Sequence, residues 1–259
     1  MLNATIAYDA IARNYSRTLA RTATEPTAVR QTEYFKANIG KVKSTRDLIN
    51  NSRLYSYGMK AFGLSDMMYA KGLIQKILEG EATRSSSLAN TLHDPRYLAL
   101  AETFNFAADG ANATSPASLQ QATISNYIEQ TLKANAGQKN QGAQMALNFQ
   151  RMPLQIMSAY SILADKMLLQ VVETALGLPA SLSQSPIDQQ AKEISQESNV
   201  ADFKDPSKLQ KFIERFTANY DFKISAPTTP LTALFDNSGS VGINSSLLLN
   251  LANLRLGGF

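Results

Sequence analysis

Apolar positions recur along this chain at helical spacing. Tyr8, Ile11, Tyr15 and Leu19 are separated by three, four and four residues, which places them on one stripe of an N-terminal helix. Pro26 predicts the first turn of a second helix, running to about Val42. Ser44-Thr45-Arg46-Asp47 reads as a capping-box start with Asp in place of the usual Glu; the helix it opens is expected to reach Phe62 and stop at Gly63. Ser65 can cap the next helix, which would hold Met68, Leu73, Ile77 and Leu78 and end at Gly80. Four pairs, Asp94-Pro95, Ser115-Pro116, Ser185-Pro186 and Asp205-Pro206, each set a side-chain acceptor before a proline at the first helical position, where the missing N–H costs nothing. A long pattern from about Gln141 to Leu176 is interrupted by Pro153, which predicts a kink or break. No run of alternating β-branched residues predicts a strand. Residues 223–235 are rich in Pro and Thr and expected to be irregular, 236–242 form a turn, and Asn244 is placed to cap a last apolar stretch through Leu247, Leu248, Leu251 and Leu254.

One pattern occurs twice. The stretch LINNSRLYSYGMKAFGL (48–64) aligns without a gap on ILADKMLLQVVETALGL (162–178), at an offset of 114. Leu54 meets Leu168, and Ala61, Gly63 and Leu64 meet Ala175, Gly177 and Leu178. Asp94-Pro95 then meets Asp205-Pro206, each leading to a phenylalanine, Phe104 and Phe216. The chain is therefore expected to be all-α, with two related multi-helix units packed together and an irregular C-terminal segment. The expected divisions are a basic N-terminal helical arm at 1–43, a first helical unit at 44–137, a second at 138–222, and a segment at 223–259 closing in an apolar helix.

Composition narrows the chemistry. The 259 residues are 44% hydrophobic and 18% charged, enough apolar material for a core. Cysteine is absent and His93 is the single histidine, so disulfides, thiolate metal sites, a cysteine nucleophile and two-histidine mechanisms are excluded. The net charge of +4 is unevenly placed: residues 1–60 hold ten basic and four acidic side chains. Such a bias can draw an acidic partner, a nucleic acid or an anionic membrane, though the charges are spread as on a solvated face. No RNP-like motif occurs, and no nucleic-acid partner is expected. No stretch approaches the ~20 apolar residues a membrane span needs, so no integral membrane segment is expected. The N-terminus lacks the basic start and apolar run of a cleaved signal peptide, which predicts synthesis in the cytoplasm without a cleaved leader.

The constellations that imitate chemistry fall short. Asp94 beside His93 is engaged as a cap, with no second histidine to complete a relay. Asp236-Asn237-Ser238-Gly239-Ser240 begins like a calcium loop but puts Leu247 where the bidentate Glu belongs. Gly137 and Gly142 have phosphate-loop spacing, but Ala143 stands where lysine is required. Glu79 with Glu81, or Glu193 with Glu197, would need to flank a cleft at a fixed separation to cleave a glycoside, and instead sit at expected helix ends or turns. Met67-Met68 reads as core filler. No catalytic, cofactor-binding or metal residues are assigned, no cofactor is expected, and the chain is expected not to be an enzyme.

The blocks EYFKANIGKVKSTRDL (33–48), RLYSYGMKAFGLSDMMYAKGLIQKILEGEATRSSSLANTLHDPRY (53–97), ALNFQR (146–151), YSILADKMLLQVVETALGLP (160–179) and the D-F-x-D-P segment at 202–206 resemble a domain-of-unknown-function family of alphaproteobacteria, especially Rhizobiales, whose genes lie in flagellar clusters. The resemblance spans about residues 7–222. Some members carry flagellar rod or basal-body labels, and the family has no agreed catalytic residues to carry over. It implies a non-enzymatic structural or assembly protein of the flagellum, contacting flagellar or export proteins through helices, able to self-associate, and exported to the basal body or periplasm. The alternatives are a cytoplasmic chaperone or regulator of flagellar assembly and, third, a wall-cleaving hydrolase. The usual rod-protein N-terminal signature is not recognisable here. Axial subunits pair through apolar helical segments at both ends, a part the N-terminal stripe and the Leu-rich C-terminal stretch could play.

Overall fold

The structure, a computed structural model, describes residues 3–152, 156 and 158–225. The described residues are helical, with no strand among them. In chain order the helices are α1 (Ala4–Ala12), α2 (Tyr15–Ala23), α3 (Pro26–Asn38), α4 (Thr45–Asn50), α5 (Ser52–Ala61), α6 (Lys71–Glu79), α7 (Leu88–Thr91) and α8 (Pro95–Thr103). They continue as α9 (Phe106–Asp109), α10 (Ala117–Lys139), α11 (Gln141–Phe149), α12 (Ala159–Ala164), α13 (Lys166–Leu176), α14 (Ile187–Glu197) and α15 (Pro206–Ser225). Residues 1–221 form one compact unit. The expected kink at Pro153 and the C-terminal stretch from residue 226 lie outside the described residues.

Polar caps cut the expected helices into shorter ones. The Asn51 carboxamide oxygen accepts the Leu54 N–H at 3.1 Å, so the single helix expected from Ser44 to Phe62 becomes α4 and α5. Asp165 does the same between α12 and α13, accepting from Met167 and Leu168 at 2.8 and 3.0 Å, while Asn140, accepting from Ala143 at 3.1 Å, caps α11 at Gln141, where a helix is expected to begin. In each case a short side chain competes with the helical ladder for backbone N–H groups and turns the chain. The N-terminal stripe is likewise broken, at Arg13 and Asn14. Ser65 opens a 3-10 turn rather than a helix, and Met68 lies outside α6. Of the four proline starts, Asp94 and Asp205 accept first-turn N–H groups. Pro116 and Pro186 occupy the cap position themselves, which leaves Ser115 and Ser185 one residue too early to cap.

The helices close around two hydrophobic clusters. The first gathers Phe35, Leu54, Tyr57, Met59, Ile74, Leu78, Leu100 and Phe104; the second gathers Tyr8, Phe149, Ile162, Val172, Ile194, Ile213 and Phe216. α10 serves both, giving Tyr127 and Ile128 to the first and Leu132 and Ala136 to the second. The described residues up to 43 are divided between them: α1 packs on the second cluster, α3 on the first, and α2 reaches both through Leu19.

The repeated A-x-G-L stops are the same device in both places. Gly63 and Gly177 hold left-handed backbones, φ +70° and +72°. The Leu64 N–H donates to the Met59 carbonyl at 2.8 Å and the Leu178 N–H to that of Glu173 at 2.9 Å. Each closes a Schellman motif, which needs a residue free of the Cβ penalty at that φ. The bonded pairs match at the offset of 114 found in the sequence. In both places a later side chain covers the helix end: Arg96 donates to the Gly63 carbonyl at 2.8 Å, and Asn219 donates to those of Thr174 and Ala175 at 3.0 and 3.1 Å.

Candidate functional site

Along α5, Arg53, Ser56 and Lys60 fall on one face by spacings of three and four. Across from them Thr27 and Gln31 project from the start of α3. The two helices border a cleft of about 340 Å³ whose floor is aromatic. Tyr57, from α5, is buried between Phe35 of α3 and Tyr127 of α10, with ring centroids 4.4 and 3.9 Å away and nearly parallel planes. Its hydroxyl is paired with that of Thr32 at 3.1 Å, and burial pushes its ionisation well above the ordinary tyrosine value.

The two cations at the rim are held apart. The Arg53 guanidinium lies 3.7 Å from the centroid of the Tyr34 ring and donates to the Gln31 side-chain oxygen at 3.3 Å. The Lys60 ammonium sits 4.8 Å from the centroid of Tyr127. Burial lowers the Lys60 pKa from its ordinary value, opposed by the Glu25 carboxylate. That carboxylate accepts from the Asn135 side chain at 3.0 Å through both oxygens. No carboxylate of the described residues lines the cleft.

A second cleft, of about 450 Å³, lies between α4, α6 and α9. Lys43, Arg46 and Glu79 mix both signs of charge on its wall. On α10, Glu129 bridges the buried Lys133 at 3.0 Å and Arg151 at 3.3 Å, and the Arg151 guanidinium rests 4.9 Å from the Tyr15 ring centroid. This ion pair joins α10 to the end of α11 beside α2, a tie between elements of the second cluster.

The residues that imitated chemistry in the sequence are not assembled into one site. His93 adopts φ +54°, ending α7, and its Nδ1 lies 2.7 Å from the Thr91 carbonyl. Asp94 caps α8 and binds the Arg96 guanidinium. Glu79 is exposed and accepts from Gln75, while Glu81 pairs with Arg84. Glu193 and Glu197 are one turn apart on α14. Gly137 and Gly142 belong to the junction of α10 and α11. Residues 236–247 lie outside the described residues. No group of three or more His, Asp or Glu that could hold a metal ion occurs among the described residues. None of their helices is long and apolar enough to cross a membrane. Sequence reasoning did not single out the α3–α5 cleft. The spacing of Arg53, Ser56 and Lys60 was a usable signal, but nothing local announces that Tyr127 comes to lie beneath them.

Comparison with known proteins agrees with this architecture. A family model described as "Protein of unknown function (DUF1217)" matches residues 61–209. The crystal structure of protein AGR_C_984 from Agrobacterium tumefaciens, a structural-genomics target, is 37% identical, with a TM-score of 0.74 over 86% of this chain and 97% of that one. Among curated proteins none matches. With more than half of its length matched by the family model and a similar fold in an Agrobacterium relative, the chain belongs to the DUF1217 family.

Proposed function

We propose that this protein is a non-enzymatic structural or assembly component of the bacterial flagellum, acting through contacts made by its helices and turns with flagellar or export proteins. The observation that carries the reading is that Met68, Tyr69 and Leu92, large apolar side chains, are held outside the core. Tyr69 is 80% exposed beside the partly exposed Met68, and Leu92 is also open to solvent. Close to them in sequence, Arg96 pairs with Asp66 and Asp94, at 3.7 and 2.8 Å. Large apolar side chains held outside the core and rimmed by charge are characteristic of contact surfaces. The resemblance to a family encoded in flagellar gene clusters supplies the setting, with export to the basal body as the expected destination.

One observation favours the second reading, a cytoplasmic chaperone or regulator of flagellar assembly. The N-terminal stripe is packed into its own core: Tyr8 is fully buried, and its hydroxyl donates to Gln210 at 3.1 Å. A stripe spent this way is not free to pair with neighbouring subunits. Fractionation of a tagged copy in wild-type and export-deficient strains separates the two. A structural component appears in purified basal bodies of the wild type and is retained in the cytoplasm of the mutant. Cytoplasmic recovery from both strains removes the structural reading and leaves the assembly factor.

A further inference from the structure

The α3–α5 cleft has the wrong shape for a single small anion and the wrong aromatics for a nucleobase. Arg53 and Lys60 are seven residues apart on one helix, about 10 Å along its axis. Their heads diverge, Arg53 toward Tyr34 and Gln31 on α3 and Lys60 toward Tyr127 on α10. One phosphate cannot reach both. Base stacking needs an open aromatic face. Tyr57 has one face on Phe35 and the other on Tyr127, and the Lys60 ammonium lies over Tyr127. What remains is a cleft lined by two cations and the hydroxyls of Thr27, Ser52 and Ser56, with no carboxylate of the described residues in its lining.

We infer that this cleft binds an acidic segment of a partner protein in the polyproline-II conformation, with one carboxylate meeting Arg53 and a second, three residues on, meeting Lys60. Charge carries the assignment, two cations in one lining; a polyproline-II chain returns every third side chain to the same face after about 9 Å, close to the axial separation of residues 53 and 60 on α5. Both cations are restrained before binding, Arg53 by the Tyr34 ring and Gln31, so less side-chain freedom is lost when a carboxylate arrives. Gln31 and the rim hydroxyls supply donors for the peptide backbone between the two acids. The inference rests on the reading of this chain as one that works by protein contacts, and it holds for either the structural or the assembly role.

The test is a fluorescence-anisotropy titration of the full chain with a labelled Gly/Ser peptide carrying two Glu three positions apart, beside the same peptide with Gln in their place. The Glu peptide should bind at low ionic strength and weaken about tenfold between 50 and 300 mM salt, as expected for exposed charge pairs. Arg53→Gln and Lys60→Gln should each weaken it by about threefold to fivefold. Ser56→Glu, which leaves both cations and the buried floor intact, should abolish it. Unchanged helical circular dichroism establishes that each variant is folded. Equal binding of the Gln peptide, indifference to all three substitutions, displacement by equimolar inorganic phosphate, or tighter binding of a single-stranded oligonucleotide would each overturn the inference. Because the titration is done with purified protein, its failure is distinct from a failure of the flagellar reading, which cell fractionation decides.

Discussion

Thr5 and Asp221, 216 positions apart, meet through two hydrogen bonds to one carboxylate oxygen, from the Thr5 N–H at 3.1 Å and from its hydroxyl at 2.9 Å. The other oxygen accepts the Ala4 N–H at 2.6 Å. α15 therefore supplies acceptors for first-turn N–H groups of α1 beyond the one its own Asn3 cap binds, and it sets a negative charge at the positive end of that helix. Asn3 accounts for one further N–H, that of Ile6, at 2.8 Å.

Removing that carboxylate should loosen α1 before anything else. Asp221→Ala is expected to cost about 2 kcal/mol, the scale of charge-assisted hydrogen bonds lost at a half-buried position. Urea unfolding measures the total. Hydrogen exchange should show faster exchange at the amides of residues 4–8 while α5 and α6 stay protected; uniform acceleration would place the effect elsewhere.

Gly142 is where three helices come closest. A Cβ there would collide with the Tyr220 ring of α15 and come within 2.8 Å of the Ala4 Cβ of α1. Gly142→Ala should therefore destabilise by about 1–3 kcal/mol despite the better helix propensity of alanine. Adding Tyr220→Ala should recover part of the loss, a coupling that a double-mutant cycle in thermal unfolding will show.

His93 should tolerate only residues suited to a left-handed backbone. At φ +54° a β-branched side chain is strained, so His93→Val is expected to lose about 1–2 kcal/mol, whereas His93→Gly should be neutral or slightly stabilising. Comparison of the two melting temperatures at neutral pH decides the point. A severe loss with glycine would show that the imidazole itself matters.

Acid should remove the cap at the start of α15. The Lys208 and Ser207 N–H groups hold the Asp205 carboxyl below its ordinary value of 3.8. A depressed folded-state value stabilises the fold above 3.8, and that contribution disappears as pH falls through the lower, folded-state value. Asp205→Ala lacks the contribution at every pH. Its urea midpoint should therefore lie below that of the wild type at pH 7, and the gap should narrow progressively below pH 3.8. A gap that stays constant through acid would contradict the carboxylate's role.

Local devices were readable from residue order. The all-helical class, the proline starts capped by Asp94 and Asp205, the glycine stops at 63 and 177 and the repeat register of 114 each depend on hydrogen bonds or backbone angles confined to about six consecutive residues, so a short string of letters specifies them. Tertiary packing decided the rest. Asn51 and Asp165 split expected helices, and the residues flanking each turn still share one cluster, Ile49 with Leu54 in the first and Ile162 with Leu168 in the second. Tyr8 finds Gln210, Tyr127 slides beneath Tyr57, and successive turns of α10 serve different clusters, because apolar burial is non-directional and side chains distant in sequence compete for the same interior.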